Sequence, residues 1–160
     1  MRYLAFLVVF TLVALLAWPY ITVYRLDQAL AAKDVAAMNR LVDLETVRAQ
    51  VKQDFSKEVS NQVGSDGGRV IRWLKQGVKL VSDTAIDANV DIQWVINTIN
   101  TRPGEPPTPR PSFMGDISYA FFESYDTFLI RLGELGADPV HVQLNLQEDN
   151  TWRVVAIYGQ

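Results

Sequence analysis

The sequence predicts an α+β fold, with an N-terminal transmembrane helix, several amphipathic helices and then a four-stranded antiparallel meander. Three observations carry this expectation. A charge-free apolar run occupies the chain from about Leu4 to Tyr24. Apolar residues then recur at spacings of three and four as far as Ile99. Beyond a proline-rich stretch the spacing becomes two, the period of a strand.

The apolar run is uninterrupted by charge between Arg2 and Arg25, and it has about the 20 residues that a helix needs to cross a hydrocarbon core. Trp18, Tyr20 and Tyr24 gather at one end, where amphipathic rings favour the membrane–water interface. Pro19 lies near the exit, where a helix tolerates a kink. A cleaved signal peptide would need small residues three and one positions before the cut. Cutting after Ala17 places Leu15 at the first of these, and cutting after Ala14 places Leu12 there. The expectation is therefore an uncleaved anchor over residues 1–24 and a soluble α+β domain over residues 25–160. Arg2 and the terminal amine on a short N-tail favour export of the domain. Arg25, Lys33 and Arg40 weigh the other way under the positive-inside rule. The expectation adopted is a single-pass inner-membrane protein with its C-terminal domain in the periplasm.

Past the anchor, the helix continues from Arg25 to about Lys33 with Leu26, Ala29 and Leu30 on one side. Asp34 reads as an N-cap for a short helix carrying Val35, Met38, Leu41 and Val42. Asp43 is a second cap candidate, followed by the stripe Leu44, Val47, Val51, Phe55 and Val59. Gly64 to Gly68 break the chain. Arg69 to Val81 reads as helix again, and Val90 to Ile99 as a further helical piece. Thr101 to Ser112 holds five of the seven prolines, so residues 101–112 form an extended loop.

Four strands follow, over Ile117–Glu123, Thr127–Leu132, Val140–Gln147 and Thr151–Tyr158, joined by short turns that imply antiparallel neighbours. In the third, Val140, Val142, Leu144 and Leu146 alternate with His141, Gln143, Asn145 and Gln147. One face is buried on the helices and the other is polar. Helices followed by a sheet also match the element order of a cone-shaped NTF2-like roll, an analogy of fold alone.

Of the 160 residues, removal of the anchor leaves roughly 135, enough for one domain with its own core. The net charge of −3 gives no basic footprint for nucleic acid. Cysteine is absent, which excludes disulfides, thiol catalysis and cysteine-ligated metals.

Ala17-Trp18-Pro19-Tyr20, Leu26, Ala29-Leu30, Asp34, Leu41-Val42-Asp43 and Val47-Arg48 resemble the opening pattern of the domain of unknown function 2939 family. Tyr125-Asp126-Thr127-Phe128, Asp138-Pro139-Val140 and Trp152-Arg153-Val154 are similar to its closing half. The resemblance implies a bacterial protein with an N-terminal membrane segment, and it brings no activity or catalytic residues.

No catalytic, cofactor-binding or metal-binding set is legible. Asp87-Ala88-Asn89-Val90-Asp91 opens like a calcium loop, but Ile92 and Thr98 stand where glycine and glutamate are needed, so a capped helix start is the expectation. Arg69, Arg72, Lys75 and Lys79 line one helix face, suited to anionic lipid or an acidic partner, or simply to solvent. His141, the only histidine, shares the polar sheet face with Arg131, Gln143, Asn145, Thr127 and Arg153. That face either borders a cavity for a polar ligand or lies exposed to water, the latter being expected. Pro106-Pro107-Thr108-Pro109 can form a polyproline ligand, although a spacer suffices. The leading functional expectation is a membrane-anchored, exported, non-enzymatic domain that binds an envelope protein, a lipid or a small ligand. The alternative is a small hydrolase or isomerase in which His141 works with a carboxylate such as Asp126.

Overall fold

A computed structural model describes residues 2–60, 83–100, 112–134 and 139–159. Among these, the helices are α1 (Arg2–Ala31), α2 (Val35–Leu41), α3 (Leu44–Ser60), α4 (Asp83–Asn89) and α5 (Ile92–Asn100). The strands are β1 (Ile117–Phe122), β2 (Thr127–Leu132), β3 (Val140–Leu146) and β4 (Trp152–Gly159). They form one sheet in the order β1-β2-β3-β4, every pair antiparallel, which is the meander and the α+β class that the sequence predicts.

The span and its helical continuation are a single helix, α1, of 30 residues. It is the one helix among the described residues long and apolar enough to cross a membrane. Its two halves differ sharply. Tyr3 to Leu16 are exposed along the whole circumference. From Pro19 onward one stripe is buried, comprising Pro19, Thr22, Val23, Leu26, Asp27, Ala29 and Leu30. The spacing of that stripe is helical, so the same helix that is bare on its outer half forms part of the domain core on its inner half.

Helix α1 ends where Asp34 N–H donates to Ala29 O (2.9 Å) and Lys33 N–H donates to Leu30 O (3.1 Å). This is a Schellman motif, and it holds Lys33 at φ 53°, a left-handed conformation usually given to glycine. Asp34 then caps α2 by accepting from Ala37 N–H at 2.9 Å. Asp43 does the same for α3, accepting from Thr46 N–H at 3.1 Å. Both caps stand where the sequence predicts them. Between these helices, Asp43 N–H donates to Val154 O and Val42 bridges Val154 in parallel, so the α2–α3 link covers the outer edge of β4.

Helix α4 is not anticipated by the sequence reading, because Ile86 is the only large apolar residue in its seven positions. Ile86 is nevertheless buried, and Lys52 holds Asp87 at 2.7 Å from α3. Arg48 Nε donates to Val90 O at 2.8 Å, which fixes the α4–α5 junction on α3. Asp91 caps α5 through Trp94 N–H at 2.7 Å. The Asp87–Asp91 segment is therefore a helix end and a capped helix start. The predicted break at Gly64–Gly68, the predicted helix over Arg69–Val81 and the proline-rich loop up to Pro111 lie outside the described residues.

The core face of the sheet carries Phe128, Ile130 and Leu132 from β2, Val140, Val142 and Leu144 from β3, and Trp152, Val154 and Ile157 from β4. The core-facing residues predicted for β2 and β3 are thus the ones observed, but Leu129 and His141 between them are buried too, so the second face is not simply a solvated polar one. Val23, Leu26 and Leu30 of α1, Met38 of α2, Val47 and Val51 of α3, and Ile92, Val95, Ile96 and Ile99 of α5 complete this core. Each such side chain contributes about 1.5–3 kcal/mol through removal from water.

Candidate functional site

The second face of the sheet is built in rows by the strand register. Tyr119 pairs with Arg131, Arg131 with His141, and His141 with Tyr158, so these four lie across the full width of the sheet. The next row is Phe121, Leu129, Gln143 and Ala156, and the next contains Thr127, Asn145 and Arg153. The sequence-predicted residues Arg131, His141, Gln143 and Asn145 therefore do share one face, with Thr127 and Arg153 beside them.

Two bulges set this register. Ile117 pairs with Leu132 and Tyr119 with Arg131, leaving Ser118 as an extra residue in β1. Gln143 pairs with Ala156 and Leu144 with Val154, leaving Val155 as the extra residue in β4. Ile117 can consequently join Ala120 and Phe122 against the core while Tyr119 and Phe121 face outward. Tyr119, Phe121 and Tyr158 were missed by sequence reasoning for this reason.

The first row is chemically coherent. Arg131 holds its guanidinium carbon 5.5 Å from the centre of the Tyr119 ring, and its Nε donates to Ser118 Oγ at 3.1 Å. The His141 ring stacks on Tyr158 with centroids 5.2 Å apart and planes 10° apart. His141 is only 6% exposed, which corrects the expectation of a solvated imidazole: Tyr158 covers it and neighbouring Leu129 and Ala156 are buried on the same face. Burial pushes its pKa below the ordinary 6.5, the Arg131 charge adds to this, and Glu123 opposes it. Burial raises the Tyr158 pKa, helped by the charges of Glu123 and Asp54. Gln143 Nε2 donates to Asn145 Oδ1 at 3.1 Å.

Beside this face is a cleft of about 430 Å³ between α3 and the end of the sheet, lined by Gln50, Val51, Asp54, Gln143, Ile157, Tyr158 and Gly159. Val51 and Ile157 supply apolar wall. The Gln50 and Gln143 amides and the Asp54 carboxylate supply donors and acceptors. Asp54 accepts from Gln50 Nε2 at 3.1 Å. Such a lining suits a small polar molecule held by hydrogen bonds.

Asp126 does not converge on His141. It sits in the β1–β2 turn, where the Ser124 hydroxyl above all, and then Thr127, hold its carboxyl below the usual range. His141 lies opposite Arg131, four residues farther along β2 than Thr127 and hence about 13 Å away along the strand. Among the described residues no three His, Asp or Glu side chains gather as a metal site would require. Arg69, Arg72, Lys75 and Lys79, and the Pro106–Pro109 segment, lie outside the described residues.

The junction between α1 and the sheet is the other functional geometry, and sequence periodicity gave no sign of it. Tyr20 donates its hydroxyl to Ala120 O at 3.1 Å, on the free edge of β1. Its ring meets Phe128 edge-on at 4.8 Å, and Phe128 in turn meets Phe122 and Trp152. Two turns later Asp27, 4% exposed, accepts from Ser112 Oγ (2.9 Å) and from Phe113 N–H (2.8 Å). Helix and domain are thus joined by packing and by hydrogen bonds, with no linker between them.

No curated protein and no solved structure gives a significant match to the chain. The NTF2-like comparison accordingly stays an analogy of element order. A family profile described as Protein of unknown function (DUF2939) does match, over residues 8–97, which take in most of α1, the helices α2 to α4 and most of α5. That stretch is more than half of the chain, and the chain belongs to the DUF2939 family.

Proposed function

We propose that this protein is a membrane-anchored, exported, non-enzymatic domain that presents the accessible Tyr119, Phe121 and Arg131 side of its second sheet face, and the adjoining cleft, to a ligand or partner at the cell envelope. The observation that carries the reading is the division of α1 into a bare apolar half and a half buried in the domain. A helix exposed all round from Tyr3 to Leu16 is suited to lipid, not to water. The buried stripe also narrows where a signal peptidase could act, since any cut beyond Trp18 would remove residues that the core uses. The available cuts before it lack a small residue at the required position. Separation of His141 from Asp126 favours binding over general-base chemistry on this pair.

Three measurements test the proposal. The intact mass of protein extracted from bacterial membranes is expected to be that of the uncut chain; loss of the first 14 or 17 residues would refute retention. A C-terminal alkaline phosphatase fusion is expected to be active, and an inactive fusion would overturn export. A photo-crosslinker at Phe121, which is 59% exposed, should yield a discrete adduct that Arg131→Ala weakens, while one at Gln93 should not. Equal labelling from both positions would count against a binding face.

A further inference from the structure

Resting on the proposal that the cleft binds a ligand, we infer that the cleft between α3 and the end of the sheet takes a small organic cation, a primary ammonium carried on a short alkyl chain.

Both amides of the cleft have their nitrogens turned to a neighbour. Gln50 Nε2 donates to Asp54 Oδ1, and Gln143 Nε2 donates to Asn145 Oδ1, each at 3.1 Å. An amide bound through its nitrogen still has its carbonyl oxygen to offer, and that oxygen is an acceptor. Among the described residues no donor meets Gln50 Oε1, Gln143 Oε1 or the second oxygen of Asp54, Oδ2. The described lining therefore asks for a ligand of donors. An ammonium has three N–H donors and no acceptor.

Charge points the same way. Asp54 is the one charged residue of the lining, and its side chain is 29% exposed, so water screens it only in part. Lys57 Nζ stands 3.9 Å from Asp54 Oδ1, but that side chain is 62% exposed, and a solvated lysine at this distance is a weak partner. After burial, Glu123 and Asp54 both add to the raised Tyr158 pKa, so the field on that side of the cleft is negative. His141, stacked on Tyr158, is held neutral above all by its burial and brings no opposing charge. Arg131 lies two strands from Tyr158, about 10 Å across the sheet. An anion would meet the Asp54 carboxylate with no basic side chain in the described lining to hold it.

The apolar wall selects an organic cation over a metal ion. Val51 and Ile157 offer hydrocarbon that can cover methylene groups and that gives a bare ion nothing. A hard divalent ion would also need several anionic oxygens, and among the described residues no three acids or histidines gather.

The test is a nuclear magnetic resonance titration of the full chain, labelled with ¹⁵N, in uncharged detergent micelles at pH 7. The separate probes are n-butylammonium, n-butyrate and calcium. n-Butylammonium should shift the Gln50 and Gln143 side-chain amides and the Gly159 backbone amide saturably, and the other two probes should not. Asp54→Asn, which keeps an acceptor for Gln50, should weaken binding at least tenfold. Lys57→Met removes the competing ammonium and should tighten it several-fold, a gain that a folding defect cannot imitate. Saturation by butyrate, or by calcium in place of n-butylammonium, overturns the ligand class. No saturable shift with n-butylammonium, or an affinity unchanged in both variants, overturns the site. The Phe121 crosslinking assay reads independently. If its Arg131-dependent adduct persists while n-butylammonium does not bind, this inference fails and the binding face stands; if the adduct is lost while n-butylammonium binds, the face fails and the cleft stands.

Discussion

Replacing Asp27 by alanine removes the one acceptor that serves both the Ser112 hydroxyl and the Phe113 N–H. Phe113 is 1% exposed and Asp27 is 4% exposed, so water does not readily replace the lost carboxylate. A charge-assisted bond to a buried donor is lost and that donor is left unmet, which together cost about 2–3 kcal/mol. For a chain of this size that corresponds to a fall in Tm of about 5–10 °C. Asp27→Asn keeps an acceptor for Phe113 and an amide that can donate to Ser112, so it should cost about 1 kcal/mol. Ser112→Ala should also cost about 1 kcal/mol, and in the Asp27→Ala background it should add little, because the partner is already gone. The assay is urea unfolding of the full chain in detergent micelles, followed by near-ultraviolet circular dichroism. The reasoning is refuted if Asp27→Ala unfolds within about 0.5 kcal/mol of wild type, or if Asn proves as damaging as Ala.

Other expectations follow from the same structure. Lys33→Gly should raise stability by about 0.5–1 kcal/mol in the same assay, since glycine adopts φ 53° without the steric cost a lysine bears. Phe128→Ala, at a fully buried position ringed by Tyr20, Phe122 and Trp152, should cost about 3–5 kcal/mol, and Phe128→Leu clearly less. His141 has a pKa lowered from 6.5 in the folded state, so below 6.5 the unfolded chain takes up a proton that the folded chain resists. Its contribution is therefore fully present above 6.5 and declines as pH falls through 6.5 toward the lowered folded value. The urea midpoint should drop between about pH 7.5 and pH 5.5, and His141→Phe, which keeps a ring for Tyr158, should flatten that drop.

Much of the architecture was legible because it depends on short-range patterning. Asp34 and Asp43 announce their helices through capping chemistry that needs no tertiary contact. Val140 to Leu146 announce a half-buried strand through period two, and the register puts Arg131, His141, Gln143 and Asn145 on one face as that period requires. The missed features depend on partners far along the chain. The bulges at Ser118 and Val155 shift which residues share a face, and each is defined only against the neighbouring strand. Helix α4 has one buried apolar anchor and is held by Lys52 and Arg48 from α3, so its seven residues carry no amphipathic stripe to detect. Asp27 reads as an ordinary surface acid on a helix until Ser112 and Phe113 arrive from 85 and 86 residues away.

The burial of His141 and the seam along α1 bear on function together. A binding face in a freely tethered domain could point anywhere, whereas α1 is joined to the sheet at Tyr20 and Asp27 and fixes the sheet relative to the helix axis. The helix packs on the core face, so the row of Tyr119, Arg131, His141 and Tyr158 lies on the side of the sheet turned away from α1. Arg131 is steadied by Tyr119 and Ser118, so on the proposed binding reading its accessible side of the face is ordered beforehand and little rotamer entropy is left to lose. Disturbing the α1 seam should therefore weaken binding at this face even though no seam residue belongs to it. Asp27→Asn, mild in stability, provides the comparison with Arg131→Ala in the crosslinking assay from Phe121. A lower yield for both variants supports coupling of anchor and face through orientation, and an undiminished yield for Asp27→Asn would show the face to act independently of the seam.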